Sequence, residues 1–213
     1  MKYEAVLFDM DGTLLDTITD LHDGVNRSLA RNGYPLRTME EIRIFVGGGA
    51  RQLLRRALPD TVGEAELNEI TEEFRAWYGE NSCVKTCPYP GVVAAVEALQ
   101  KAGVKVAVVS NKPDAATKAL ARQFFPTLPA FGQRDDIPQK PAPEMVWNAL
   151  KELGVSVDKA VYVGDSEVDV ATARNAKMPL LAVCWGFRTR AELVAAGAEH
   201  IVDNAEDMLK ALL

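Results

Sequence analysis

Five short apolar runs, rich in β-branched residues, recur along the chain. They are AVLF (5–8), VKVAVVS (104–110), AVYVGD (160–165), PLLAVCW (179–185) and HIVD (200–203). Glycine, proline or charged residues bound each run, as is typical of strands buried on both faces of a parallel sheet. The pattern therefore predicts five strands.

Apolar residues recur with helical spacing between these runs. The clearest sets are Val92, Val96 and Leu99; Val146, Leu150 and Leu153; and Met208, Leu209 and Leu212. Strands that alternate with helices at this spacing favour right-handed βαβ units. We expect an α/β fold with a Rossmann-like parallel sheet flanked by helices.

The stretch 17–82 breaks this alternation, because it is helical in pattern throughout. Its apolar faces are Ile18, Leu21, Val25 and Leu29, then Leu67, Ile70, Phe74 and Trp77. We expect an inserted all-helical cap domain over 17–82 and a catalytic core domain made of 1–16 and 83–213. An edge strand is expected within 125–138, but its prolines and glycine leave the path of that stretch open.

Charge and composition narrow the function. The formal net charge of −6 argues against nucleic acid or an anionic membrane as a partner. No apolar run approaches the roughly 20 residues of a membrane span, and Asp9 and Asp11 interrupt the only apolar stretch near the N-terminus. These features indicate a cytoplasmic protein and leave open whether it is a monomer or a homodimer.

The cysteines add little to this picture. Cys83 and Cys87 have C-x-x-x-C spacing, but no second Cys/His pair completes a zinc site. Together with Cys184 they are better interpreted as reduced thiols.

Asp9 and Asp11 follow the first predicted strand. Residues two apart in an extended segment point to the same side, at the end of the sheet where α/β folds place their ligands. Taken alone, one of the two aspartates could simply cap a helix and the other could be solvated.

Polar residues also follow the other strands. Ser110 and Asn111 end the second run, Asp165 ends the third, and Asp169 lies four residues later. Lys140 precedes a helix that begins near prolines. Each has a possible structural role, but together they offer carboxylates for Mg²⁺ and donors for phosphate oxygens. The combination predicts a phosphoryl-transfer site.

Four motifs in order carry a resemblance to a known family. The set D-x-D-G-T (9–13), S-N (110–111), K-P (140–141) and GDSEVD (164–169) resembles the haloacid dehalogenase-like hydrolase superfamily. The resemblance spans essentially the whole chain, including a helical cap inserted after the first motif.

The resemblance implies a role for each matching residue. Asp9 would be the nucleophile that forms an aspartyl-phosphate, and Asp11 the general acid and then the base. Mg²⁺ would be held by Asp9, the backbone carbonyl of Asp11 and Asp165, with Asp169 in support. The expected phosphate ligands are Ser110, Lys140 and, through its backbone N–H, Asn111.

The presence of an aspartate at position 11 also distinguishes between subgroups of the superfamily. Dehalogenases and phosphonoacetaldehyde hydrolases of the superfamily lack an aspartate there, and the phosphomutases carry a cap histidine where this chain has Leu21. His22 lies one residue later and would face elsewhere. The chain looks most like the phosphoglycolate phosphatases, which implies hydrolysis of a small phosphorylated metabolite.

Three other functions stay open. They are a pyrophosphatase, a sugar-phosphate phosphatase or phosphomutase, and a non-catalytic binding protein. The last is disfavoured because no essential residue is missing. Within the cap, Gly48 lies in a glycine run flanked by Arg43 and Arg51, and either arginine could meet a substrate carboxylate.

Overall fold

The computed structural model describes residues 2–213 and contains a six-stranded, wholly parallel sheet of order β5-β4-β1-β6-β7-β8. Its strands are β1 (Ala5–Phe8), β4 (Lys105–Pro113), β5 (Ala130–Gln133), β6 (Ala160–Gly164), β7 (Leu180–Val183) and β8 (Ile201–Val202). All five predicted strands are present. A separate antiparallel pair, β2 (Leu15–Asp16) and β3 (Cys87–Pro88), was not predicted.

Ten α-helices accompany the strands within residues 2–213. They are α1 (Ile18–Arg31), α2 (Met39–Phe45), α3 (Gly49–Ala57), α4 (Glu64–Asn81), α5 (Val92–Lys101), α6 (Asp114–Phe124), α7 (Glu144–Leu153), α8 (Glu167–Ala176), α9 (Arg190–Ala196) and α10 (Ala205–Leu212). None of these helices is long and apolar enough to cross a membrane.

The sheet is covered on both faces because its strands alternate. Val6 and Phe8 of β1 pack into a core shared with α5, α6 and α10. Ala5 and Leu7, which point the other way, pack against α7 and α8. Burial on both faces explains why β1 reads as a continuous apolar run.

The stretch 125–138 contributes the edge strand β5. It pairs with β4 in parallel, with Val108 opposite Ala130. Pro126 and Pro129 precede the strand and Pro138 follows it, so no proline removes a donor from its interior.

Helices α1 to α4 share a hydrophobic cluster distinct from those of the sheet. Leu67, Ile70 and Phe74 are buried as the spacing predicts, Trp77 is partly buried against the same cluster, and Tyr78 extends the buried face. The two junctions of this helical insertion meet, because β2 pairs with β3 and the buried Asp20 accepts hydrogen bonds from the backbone of 84–86. Domain limits at 17–82 stay a prediction.

Candidate active site

Three neighbouring strands bring their carboxyl ends to one cavity. Asp9 follows β1, Ser110 lies near the end of β4, and Asp165 follows β6, in the sheet order β4-β1-β6. The cavity lies between this edge and the helical insertion, and Asp11, Asn111 and Lys140 also line it. The structure thus brings the predicted core residues together, with Asp169 directly behind them.

A buried cluster of carboxylates surrounds one ammonium group. Oxygens of Asp9, Asp165 and Asp169 lie within 4.8 Å of one another. The Nζ atom of Lys140 lies 2.9 Å from Asp9 and 2.8 Å from Asp169, and it also donates to the Tyr162 hydroxyl at 2.9 Å. The three carboxylates, when ionised, exceed this ammonium by two charges.

Burial makes that excess negative charge unfavourable. Burial raises the pKa of Asp9 to about 7. The nearby ammonium of Lys140 opposes this rise, and the carboxylates of Asp169 and Asp11 add to it. Burial, together with Asp169 and Asp9, also raises the pKa of Asp165 well above its usual value. Buried charges need compensation, so a site of clustered carboxylate oxygens fits a hard divalent cation.

Asp169 differs from the other two carboxylates because it accepts four hydrogen bonds and does not line the cavity. Oδ2 accepts from the backbone N–H groups of Asp165 and Ser166 and from the Ser166 hydroxyl, while Oδ1 accepts from Lys140. Ser166 and Asp169 also form the capping box of α8. Asp169 therefore holds both Lys140 and the Asp165 loop in place.

Asp165 is oriented by two donors and by close backbone packing. Thr13 Oγ1 donates to Oδ1 at 2.9 Å, and the Phe187 N–H donates to Oδ2 at 2.7 Å. A Cβ atom on Gly12 or Gly186 would overlap the Asp165 carboxylate. Gly12 also has a φ of +85°, which only glycine adopts readily.

Ser110 and Asn111 make different contacts. Ser110 is buried, and its hydroxyl accepts from the Lys112 N–H at 3.2 Å. The Asn111 amide donates to the carbonyls of Gly47 and Lys140, and its oxygen accepts from the Lys140 N–H. The Asn111 side chain thus holds the Lys140 loop and the insertion, and phosphate binding through its backbone stays a prediction.

Sequence reasoning missed two residues beside Asp11. Lys112 Nζ donates to Asp11 Oδ1 at 2.8 Å and to the Tyr78 hydroxyl at 2.9 Å. The available signals were the position of Lys112 immediately after the S-N pair and that of Tyr78 four residues after Phe74 on one helix face.

Arg188 is a third missed residue, and it joins the core to the insertion. Its guanidinium donates to the carbonyls of Arg43, Ile44 and Val46 at 2.8 to 3.2 Å. It also pairs with Glu167 at 2.7 Å. No spacing in the sequence marks this residue, because its partners in the insertion are backbone carbonyls 142 to 145 residues away.

The cap residues predicted to bind substrate do not join the core residues at the cavity. Arg51 pairs with Glu64 and Asn68 on the surface, and the Arg43 guanidinium lies 4.0 Å from Glu40. Neither side chain lines the cavity. The Gly48 carbonyl accepts from Gln139 at 3.3 Å.

The cavity wall formed by the insertion is largely apolar. Its members are Leu21, Val46, Gly47, Gly49, Ala50, Leu53, Phe74 and Tyr78. The cavity measures about 50 Å³. At roughly 10–15 Å³ per water molecule, this volume corresponds to about three to five waters and favours small ligands.

A parallel α/β core with an acidic site at its strand ends and a helical insertion above it defines a class of capped hydrolases. The family model for haloacid dehalogenase-like hydrolases matches residues 6–183. The chain belongs to the haloacid dehalogenase-like hydrolase family.

Named relatives point to one branch of that family. Phosphoglycolate phosphatase 1 of Pseudomonas aeruginosa is 33% identical over 96% of this chain and 78% of its own length. The plasmid-borne phosphoglycolate phosphatase of Cupriavidus necator is 36% identical over 98% and 92%.

A solved structure agrees over the full chain. A protein from Lactobacillus delbrueckii subsp. bulgaricus, provisionally assigned as a phosphoglycolate phosphatase, superimposes with a TM-score of 0.93 and 39% identity. The alignment covers 100% of this chain and 99% of the other.

Proposed function

We propose that the protein is a Mg²⁺-dependent phosphatase that hydrolyses 2-phosphoglycolate, or an ester of similar size, through an aspartyl-phosphate. The coarser assignment, a phosphoric monoester hydrolase acting on a small phosphorylated substrate, rests on the family and on the relatives above. One observation carries the finer proposal. Asp9, in contact with Lys140 and clustered with Asp165, faces a small cavity that it shares with Asp11.

The core residues divide the work of the first step. An Asp9 oxygen attacks phosphorus, the bond from phosphorus to the ester oxygen breaks, and Asp11 donates a proton to that oxygen. Ser110 and Lys140 hold the phosphoryl oxygens. Lys140 also holds Asp9 and so keeps the nucleophile in line with the cavity.

The second step releases phosphate. Asp11, now ionised, takes a proton from water as the water oxygen bonds to phosphorus and the bond to Asp9 breaks. Inorganic phosphate leaves, and Asp11 is again protonated. Two neighbouring carboxylates are needed because one must attack as an anion while the other carries a proton.

Mg²⁺ fits the residues present. The carboxylates of Asp9 and Asp165 and the backbone carbonyl of Asp11 are hard oxygen donors. Asp169 supports them from behind, since it lies outside the cavity lining and holds both Lys140 and the loop of Asp165 and Ser166. A bound Mg²⁺ would neutralise the excess negative charge and stabilise charge on the transferring phosphoryl group.

The position of the helical insertion favours the assignment of a small substrate. Phosphate is common to all phosphomonoesters, so discrimination depends on what surrounds the leaving group. Here that surface is an apolar wall held closed by donors from the core to the backbone of Val46 and Gly47. We propose that residues 17–82 act as a cap that excludes water and large esters.

Phosphate release from a panel of small phosphomonoesters tests the proposal. Wild type and Asp9→Asn are compared with Mg²⁺ and with EDTA. We expect wild type with Mg²⁺ to turn over 2-phosphoglycolate with the highest kcat/KM of the panel, and EDTA or Asp9→Asn to abolish release. Metal-independent release, or activity retained in Asp9→Asn, would contradict the mechanism. A higher kcat/KM for a large ester than for 2-phosphoglycolate would contradict the proposed substrate.

A further inference from the structure

Lys112 is a buried cation that lines the site and has no role in the mechanism above. Its side chain is 2% exposed, and its Nζ atom lies 2.8 Å from Asp11 Oδ1. Among residues 2–213 it is the only hydrogen-bond donor to the Asp11 carboxylate. The carboxylate proposed to move protons is therefore held by a single protein group.

Lys112 is itself held from two sides. Its second contact is the Tyr78 hydroxyl, at 2.9 Å, on helix α4 of the insertion. Its backbone is fixed in β4, where the Lys112 carbonyl accepts from Thr117 and its N–H donates to Ser110. An ammonium anchored in this way has little freedom to leave Asp11.

The charge states agree with this arrangement. Burial works to lower the pKa of Lys112, but the neighbouring Asp11 and Tyr78 raise that pKa above its usual value. Burial also raises the pKa of Tyr78 to about 12, so its hydroxyl is neutral and can accept a hydrogen bond.

We propose that Lys112, anchored by Tyr78, is the positioning residue that orients the Asp11 carboxylate for its role as general acid and base. Because the ammonium occupies Oδ1, the proton of the acid is carried by Oδ2, which has no protein donor among residues 2–213. Oδ2 is then the atom that protonates the leaving oxygen and later accepts the proton of water. The inference rests on the proposed role of Asp11.

Leaving-group dependence distinguishes positioning of an acid from general damage. Ethyl phosphate and 2-phosphoglycolate both release an alkoxide oxygen that must be protonated, whereas 4-nitrophenyl phosphate releases a stable phenolate. The kcat/KM value reports the steps through the first phosphoryl transfer, so loss of the acid lowers it selectively for the alkyl esters.

The experiment measures kcat and KM for these three esters in wild type, Lys112→Met and Tyr78→Phe. We expect Lys112→Met to lower kcat/KM about tenfold to a hundredfold for both alkyl esters and less than about threefold for the aryl ester. The alkyl losses should fall on kcat, with KM little changed. Tyr78→Phe, which keeps the ring, should show the same selectivity with a smaller loss.

Two matched controls remove similar groups elsewhere. Lys85→Met removes an exposed ammonium that pairs with Asp23, and Tyr34→Phe removes a hydroxyl that contacts Glu66. Each control variant should change the kcat/KM values of the three esters by the same factor relative to wild type. If Lys112→Met fails to fold, the selectivity of Tyr78→Phe decides the question.

Asp11→Asn separates this inference from the proposed function. If Asp11→Asn is selective for alkyl esters but Lys112→Met and Tyr78→Phe weaken all three esters equally, the positioning role is wrong and the function stands. A loss confined to 2-phosphoglycolate would instead make Lys112 a ligand of the substrate carboxylate and overturn the inference. If Asp11→Asn shows no selectivity, the acid role fails, and the inference fails with it.

Discussion

The two walls of the cavity are built in opposite ways. The core wall is charged and buried, and its charged groups are linked directly to one another, as in the Asp9–Lys140–Asp169 chain. The wall from the insertion is apolar and is held to the core through its backbone carbonyls. The difference suggests that the core determines the chemistry and the insertion determines which ester reaches it.

This contrast also explains how each wall can vary. Side-chain networks around buried charges tolerate little change, because losing one partner leaves another charge uncompensated. An apolar wall held by backbone atoms can change its side chains while keeping its attachment. Substrate preference can therefore change without altering the proposed phosphoryl-transfer residues.

The largest effect should come from breaking the core wall with Lys140→Met. Two carboxylates would lose their buried ammonium, so we expect the free energy of unfolding to fall by about 3–5 kcal/mol. Turnover should fall by at least about a hundredfold, because Lys140 also holds the nucleophile. Urea unfolding in EDTA and phosphate release measure the two effects.

Lys159→Met is the matched control for that substitution. Lys159 pairs with Glu4 on the surface, where both side chains are more than half exposed. We expect a change of about 0–1 kcal/mol in the free energy of unfolding and no change in turnover. Equal effects of the two substitutions would show that the Lys140 cluster has no special importance.

A second prediction changes the size of the apolar wall with Leu53→Ala. Leu53 is buried and lines the cavity, so its truncation should cost about 2–5 kcal/mol of stability. It should also raise the kcat/KM of a larger ester, such as a sugar phosphate, relative to 2-phosphoglycolate by about tenfold. Steady-state kinetics with both esters give this ratio.

Leu54→Ala separates cavity size from stability. Leu54 is fully buried but does not line the cavity. We expect a similar loss of stability with an unchanged ratio of the two esters. If the ratio of the two kcat/KM values changed in Leu54→Ala, or stayed constant in Leu53→Ala, this wall would have no role in specificity.

The smallest effect is expected for Arg51→Ala. Arg51 contacts Glu64 and Asn68 away from the cavity, and its side chain is 46% exposed. We expect the KM for 2-phosphoglycolate to change less than about twofold and the stability by at most about 1 kcal/mol, as for surface ion pairs. A tenfold rise in KM would show that Arg51 reaches the substrate during turnover, as the sequence alone suggested.

Local patterns were enough to predict the elements of the fold. The apolar run at 5–8 has the length and composition of a buried strand, and the spacing of Leu67, Ile70 and Phe74 has the period of a helix. The pair β2–β3 escaped prediction because each strand has only two residues, too few to show a period.

The sequence by itself determined the core of the candidate site. Asp9, Ser110 and Asp165 each follow an apolar run, and in a parallel sheet all strand ends of one polarity lie at one edge, so three distant segments could be placed together without coordinates. The same reasoning could not reach Lys112, because its importance depends on which direction one flexible side chain takes.

Only the tertiary structure decided how the insertion meets the core. Arg188 binds backbone carbonyls, which every residue has, so nothing in its partners' sequence could reveal the contact. The same holds for Arg51, whose pairing with Glu64 depends on the packing of α3 against α4. The chemistry at the strand ends follows a periodic pattern that can be read along the chain. Contacts between the insertion and the core depend instead on the shapes of two folded surfaces, which the order of the residues does not reveal.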